Sequence, residues 1–235
     1  MVVGYALVGL VMALLFTRLS DAVEPRATKP TSERPAFLHA NLGLDRSRSA
    51  VLRLAGLFGL DAFAGGFVVQ AFVAYWFHVR FGVEPAGLGA LFFGANLLAG
   101  LSALAATRLA ARIGLLATMV ATHIPSNVLL LLVPLMPTLP LAAFVLLARF
   151  SISQMDVPAR QSYTMAVVEP DERSAASGVT GVARTVGAAL SPVFAGLLLS
   201  SAAGMALPFL ISGGLKIVYD LALYFSFQAV RPPEE

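Results

Sequence analysis

The chain has 235 residues, of which 58% are hydrophobic and 12% charged, it contains no cysteine, and its mean hydropathy is +0.82. Soluble domains carry about 25% charged residues, so an ordinary water-soluble fold is excluded, and the lack of cysteine excludes disulfides, thiol chemistry and cysteine-ligated metal. The net charge of +3 arises from Lys and Arg residues set between apolar blocks, with no basic helix face, which excludes a nucleic-acid partner.

The apolar residues fall in blocks of about twenty, the length a helix needs to cross about 30 Å of hydrocarbon at about 1.5 Å per residue. The first block, residues 2–17, has no basic flank before it and no small-residue cleavage site after it. It reads as a retained span, not a removed signal. Residues 18–53 are rich in charge and proline, with Arg18, Asp21, Glu24, Pro25, Lys29 and Pro30 in their first part, and predict a flexible connector. Six further spans are predicted at 54–78, 86–107, 114–134, 140–167, 174–200 and 205–228, followed by a tail over 229–235. Unbroken blocks such as Leu115–Ala121 and Asn127–Leu135 lack the alternation of barrel strands. The fold class expected is therefore an all-α integral membrane protein of about seven transmembrane helices.

The connector, Arg108, Arg112, Arg173 and Arg231 fall on one side of these spans and Arg80 on the other. The positive-inside rule makes the first side cytoplasmic, with a cytoplasmic C-terminus in the cell (inner) membrane. Seven spans then put the N-terminus outside, which predicts a missing upstream portion. Glycine and proline recur inside the spans, at Pro125, Gly187, Pro192 and Gly196 among others, where they permit close helix contacts and kinks.

Polar residues inside the spans are the functional candidates, because each costs roughly 2.5–3.5 kcal/mol at a helix centre on insertion scales. Asp61, Asn96, His123, Arg149, Arg184 and Lys216 each fall about 12–15 Å from a helix end, in one layer near the midplane. Asp61 is the lone carboxylate of its span and the candidate for proton coupling; a structural lock with Arg149 or Arg184 is the competing role. Asn96, His123, Arg149, Arg184 and Lys216 are candidates for a solute path, although His123 beside Pro125 also fits a buried, hydrogen-bonded histidine. Asp156 and Arg160 stand four apart and can pair, with Pro158 bending the helix between them, as a gate or hinge. Lys216 and Asp220, also four apart, are expected to neutralise each other.

Two motifs carry a family resemblance. Thr107–Gly114, TRLAARIG, is similar to the loop G-x-L-A-D-R-x-G and keeps Leu109, Ala110, Arg112 and Gly114, with Thr107 and Ala111 departing from it. Gly187–Gly196, GAALSPVFAG, is similar to G-x-x-x-G-P-x-x-G-G and keeps Gly187, Pro192 and Gly196. With the stretch Met155–Gly187, the chain resembles the major facilitator superfamily, whose members have two six-helix halves joined by a long cytoplasmic loop. The resemblance implies that 1–17 is the last helix of the first half, 18–53 the central loop and 54–228 the second six-helix half. It further implies alternating-access transport of a small organic solute, with the Gly187–Gly196 motif pointing to proton-coupled efflux of the drug or metabolite antiporter type.

That reading expects no enzyme activity and no cofactor. Its partners are membrane lipid, a small-molecule substrate, and either the missing N-terminal half or a second copy in a homodimer. A split or truncated half-transporter without independent activity is the alternative. A retinal-type seven-helix receptor, with Lys216 as the Schiff base, is weaker, since the chain has a single Trp and Ser212 stands where an acid is wanted. No H-E-x-x-H, G-x-S-x-G or paired acidic motif points to a hydrolase.

Overall fold

The computed structural model describes residues 2–18, 43–198 and 203–229, and every regular element among them is helical. The chain divides near residue 40 into two units. In the first, α1 (Val2–Phe16) is apolar over its whole length, with Leu10, Leu14 and Phe16 exposed, as suits a helix whose solvent is lipid. Residues 19–42 of the expected connector lie outside the described residues.

The second unit starts earlier than expected: α2 (Arg48–Gly66) takes in residues that the sequence assigns to the connector. The cause lies 125 residues away. The carboxylate of Glu172 accepts hydrogen bonds from the backbone N–H groups of Asp45 (2.6 Å), Arg46 (2.9 Å) and Ser47 (2.8 Å), and so caps α2 from outside. Burial alone would raise the carboxyl of Glu172, but these backbone donors outweigh it and hold the group at about 2. Leu44, Val51, Val168 and Ala176 pack beside this latch.

The span expected at 54–78 is two helices, α2 and α3 (Gln70–Phe81), parted at Phe67–Val69 just after Gly65 and Gly66. Paired glycines disfavour helix, and the N–H groups of Phe67 and Val68 bond only three residues back. Next, α4 (Pro85–Ile113) opens with proline at its first position, where no N–H is needed. It runs through the predicted break at 108–113. The turn into α5 (Leu115–Leu132) is Gly114 alone, whose φ of +86° strains any residue with a Cβ. Pro125 sits inside α5, and a 3₁₀ turn over Val133–Leu135 follows.

The span expected at 140–167 is also broken, into α6 (Leu139–Phe150) and α7 (Asp156–Ala166). The break precedes Pro158, which stands in the first turn of α7 and is tolerated there, so the bend expected at this proline lies at residues 151–155. Finally α8 (Arg173–Leu198) and α9 (Leu207–Phe227) match the last two expected spans closely. Among the described residues, five helical segments are long and apolar enough to cross a membrane, and α6 adds a shorter apolar helix.

In hydrocarbon no hydrophobic force drives helices together, so close contact relies on small residues. The most extensive pairing, α2 with α8, shows this. A Cβ at Gly187 would sit 2.2 Å from the carbonyl oxygen of Gly59, and one at Gly66 would sit 2.6 Å from Cβ of Ser191. Of the motif residues, Gly187 therefore belongs to the interface, whereas Pro192 and Gly196 are exposed and Gly196 faces open space. Helices α5 and α9 pack on each other and, with α2 and α7, form the interior. Phe93, Leu97, Leu101 and Leu104 of α4 and Val182, Val186, Val193 and Leu197 of α8 are exposed apolar side chains.

The core has two apolar ends. Phe72, Trp76, Phe77, Phe92, Leu130 and Phe209 cluster at one, with the Trp76 and Phe209 rings 5.2 Å apart. Leu54, Phe58, Met119, Tyr163, Leu223 and Phe227 cluster at the other. On α5 and α9, and along the α2–α3 pair, the buried ionic residues fall between the two.

Candidate functional site

Asp61, 4% exposed, is the hub of that middle layer. Lys216 of α9 donates to its Oδ1. Arg160 of α7 donates from Nη1 to Oδ2 at 3.0 Å. Arg184 of α8 brings Nη1 to 3.7 Å from the same Oδ2, and Nε2 of His123 on α5 stands 3.8 Å from Oδ1. One carboxylate thus collects four basic side chains from four helices, and its burial is sustained by that pairing.

Two further acids extend the network. Asp156 pairs with Arg160 at 3.2 Å, the expected spacing of four on one helix. Asp220 does not pair with Lys216, as the sequence spacing led us to expect. It accepts instead from Nδ1 of His123 at 2.7 Å and from Nδ2 of Asn127 at 3.0 Å. Lys216 and Asp220 each point to a partner on another helix, so adjacency on α9 does not decide their pairing. The imidazole stands between two carboxylates, with Nδ1 toward Asp220 and Nε2 toward Asp61.

The structure therefore brings Asp61, His123, Arg184 and Lys216 together and adds Arg160 and Asp156, which the sequence placed at a gate, and Asp220, which it paired with Lys216. Asn96 is not among them; it lies on an exposed face of α4, its Nδ2 bonded to the carbonyl of Phe92. Arg149, at the end of α6, makes no ion pair within 4 Å among the described residues, and its guanidinium lies 5.2 Å from the ring of Phe150. Arg112 sits exposed in the last turn of α4, where a cation complements the helix dipole. Sequence reading missed Asn127, although it stands four residues after His123 on the same helical face. It also missed Glu172, whose partners no local pattern reveals.

A cleft of about 420 Å³ opens beside the hub, between α2, α7 and α8. Its polar wall is Arg160, Gln161, Thr164, Ser177, Thr180 and Arg184, and its apolar wall includes Phe58, Val157 and Met165. From Arg173 at the start of α8, Arg184 lies about 16 Å along the helix at about 1.5 Å per residue, so the cleft reaches from the α7–α8 loop toward the middle layer.

The described residues thus form an all-helical membrane-protein bundle with a buried ion network and a cleft beside it. A profile of the Major Facilitator Superfamily matches residues 54–235, and the chain belongs to that superfamily, as the motifs at Thr107–Gly114 and Gly187–Gly196 implied. An uncharacterized membrane protein of Saccharomyces cerevisiae is 28% identical over 183 residues. That match covers 77% of this chain and 41% of the relative, so the chain spans about two fifths of the curated relative it matches. No solved structure matches the chain. The family match lends nothing to the receptor alternative for Lys216.

Proposed function

We propose that the chain forms the C-terminal half of an alternating-access carrier that moves a small organic solute in a proton-coupled cycle, with Asp61 as the coupling group. The observation that carries this reading is the convergence of Lys216, Arg160, Arg184 and His123 on the one carboxylate of Asp61, joining α2 to α5, α7, α8 and α9. Protonation of Asp61 would cancel the charge that holds four helices to α2, so proton uptake and helix movement become one event. His123, with one ring nitrogen toward Asp61 and the other toward Asp220, is placed to pass the proton between the two acids.

Efflux by exchange is the direction that the motif at Gly187–Gly196 implies, and it requires proton and solute to compete for Asp61. The enclosure of Asp61 by four basic groups favours a second sign: a solute that competes with Asp61 for its arginines, and therefore moves together with the proton. We place Arg108, Arg112, Arg173 and the C-terminus on the cytoplasmic side of the cell membrane, so that the cleft opens inward. The other six-helix half would be supplied by a further polypeptide or by a second copy of this chain; an isolated half without activity of its own is the alternative, tested by co-expression with such a partner.

The test of coupling is flux in proteoliposomes under an imposed pH gradient. Asp61→Asn, or Asp61→Asn with Lys216→Met to remove the charge pair as a unit, should abolish gradient-driven solute movement while insertion and monodispersity persist. Unchanged gradient-driven flux in the folded double variant removes Asp61 from the mechanism. The direction of movement under an inward proton gradient separates exchange from co-movement.

A further inference from the structure

The cleft beside the hub carries two positive charges and no acid on its wall. Of its lining residues only Arg160 and Arg184 are ionic, and both aim Nη1 at the same oxygen, Oδ2 of Asp61, at 3.0 and 3.7 Å. Arg160 is further engaged by Asp156 at 3.2 Å. Arg184 is not: its side chain is 39% exposed, its Nη1 has no hydrogen-bond partner among the described residues, and the loose 3.7 Å approach to Asp61 is its sole ion pair among them. A guanidinium has five N–H donors in a planar fork matched to a carboxylate, so Arg184 holds unused donors facing a cavity.

The charges around it do not balance. Four buried or half-buried cations, Arg149, Arg160, Arg184 and Lys216, stand against Asp61, Asp156 and Asp220; Arg149 lies within electrostatic reach of Asp61 and Asp156 without pairing to either, and Asp220 is already bonded by His123 and Asn127. In a low-dielectric layer an unbalanced cation is costly, and a bound anion relieves it. The remainder of the cleft fits an organic body: the hydroxyls of Thr164, Ser177 and Thr180 and the amide of Gln161 line it together with Phe58, Val157 and Met165.

We propose that this cleft binds the carboxylate of a small organic anion, held by Arg184 with Arg160 in competition with Asp61. This rests on the carrier reading above and names its substrate class. The geometry makes proton and anion loading cooperative: a proton on Asp61 releases its hold on both arginines, and the substrate carboxylate takes its place between them.

Binding of three radiolabelled probes of one size and different charge, benzoate, benzamide and benzylamine, to the purified full chain in detergent tests this by equilibrium dialysis at pH 7. Benzoate should bind saturably and at least about tenfold tighter than benzamide, with benzylamine weakest. Arg184→Gln should lower benzoate affinity about tenfold or more, Arg184→Lys should keep part of it, and Asp61→Asn should raise it. Equal binding of benzamide or benzylamine, no saturable benzoate binding, or undiminished binding in Arg184→Gln overturns the proposal. The assay has no gradient, so its outcome is independent of proton coupling. A carrier of neutral or cationic solutes fails it while keeping gradient-driven flux, and an anion binder that does not couple protons passes it while failing the flux test.

Discussion

The aromatic end of the helix bundle and its ionic middle are held by opposite kinds of contact. Around Trp76, the rings of Phe72, Phe77, Phe81 and Phe209 meet at tilted or edge-on angles with centroids 5.1–6.0 Å apart. Each contact there is a small dispersion gain, and the loss of one leaves the others in place. Around Asp61, removing the carboxylate strands several charges at once, because Lys216 and Arg184 have no other ion pair among the described residues and Arg160 keeps only Asp156. The aromatic end is thus redundant in its contacts, whereas the ionic middle turns on one carboxylate.

The comparison breaks most severely where neither kind of contact is available. Gly187→Val should abolish the α2–α8 pairing, since even its Cβ would lie 2.2 Å from the Gly59 carbonyl, an overlap of backbone that exceeds the roughly 1–3 kcal/mol of ordinary overpacking. Size-exclusion chromatography in detergent should show loss of monodisperse protein, while Gly196→Val, with nothing within 4 Å, should behave as the parent chain. Equal yields from the two would contradict the close approach.

A second, smaller effect separates the ionic middle from surface charge. Asp61→Asn should cost about 3–5 kcal/mol in denaturant unfolding in micelles, the range for a buried pair broken on one side. Adding Lys216→Met should restore a large part of that. A cost below about 1 kcal/mol, typical of exposed pairs, would show that Asp61 is not the hub.

The smallest effect lies outside the membrane, at Glu172. Its folded carboxyl titrates at about 2 against an ordinary 4.5, so its contribution is complete above the unfolded value and fades as pH falls from 4.5 toward 2. Glu172→Gln should therefore lower hydrogen-exchange protection of the Asp45, Arg46 and Ser47 amides at neutral pH, and the difference from the parent chain should vanish at the acid end of that window. A difference that does not vary with pH would assign the latch to packing alone.

Much of the architecture was legible because block length is a one-dimensional property: at about 1.5 Å per residue, an apolar run announces a span wherever its partners are. The depth of Asp61, His123, Arg184 and Lys216 followed from the same count, and these four do meet. Asn96 shares that depth but not the rotation about its helix axis, so it faces outward, and Arg149 stays half-buried within electrostatic reach of Asp61 and Asp156 without forming an ion pair among the described residues. The break at 67–69 escaped notice because the apolar run continues through Phe67–Val69, that at 151–155 is marked only by the short polar stretch Ser151–Gln154 inside a longer span, and the early start of α2 depends on Glu172, which is distant in sequence.

From the sequence alone came the medium, the all-helical class, the family and the residues costly enough in lipid to demand a reason for being there. Tertiary structure alone decided who pairs with whom: that Lys216 crosses to α2 and leaves Asp220 to His123, that Arg160 reaches the centre, and that Arg184 turns toward a cavity. Spacing along one helix ranks only its own neighbours, whereas a buried charge is settled by whichever opposite charge its packed partner helices bring within reach.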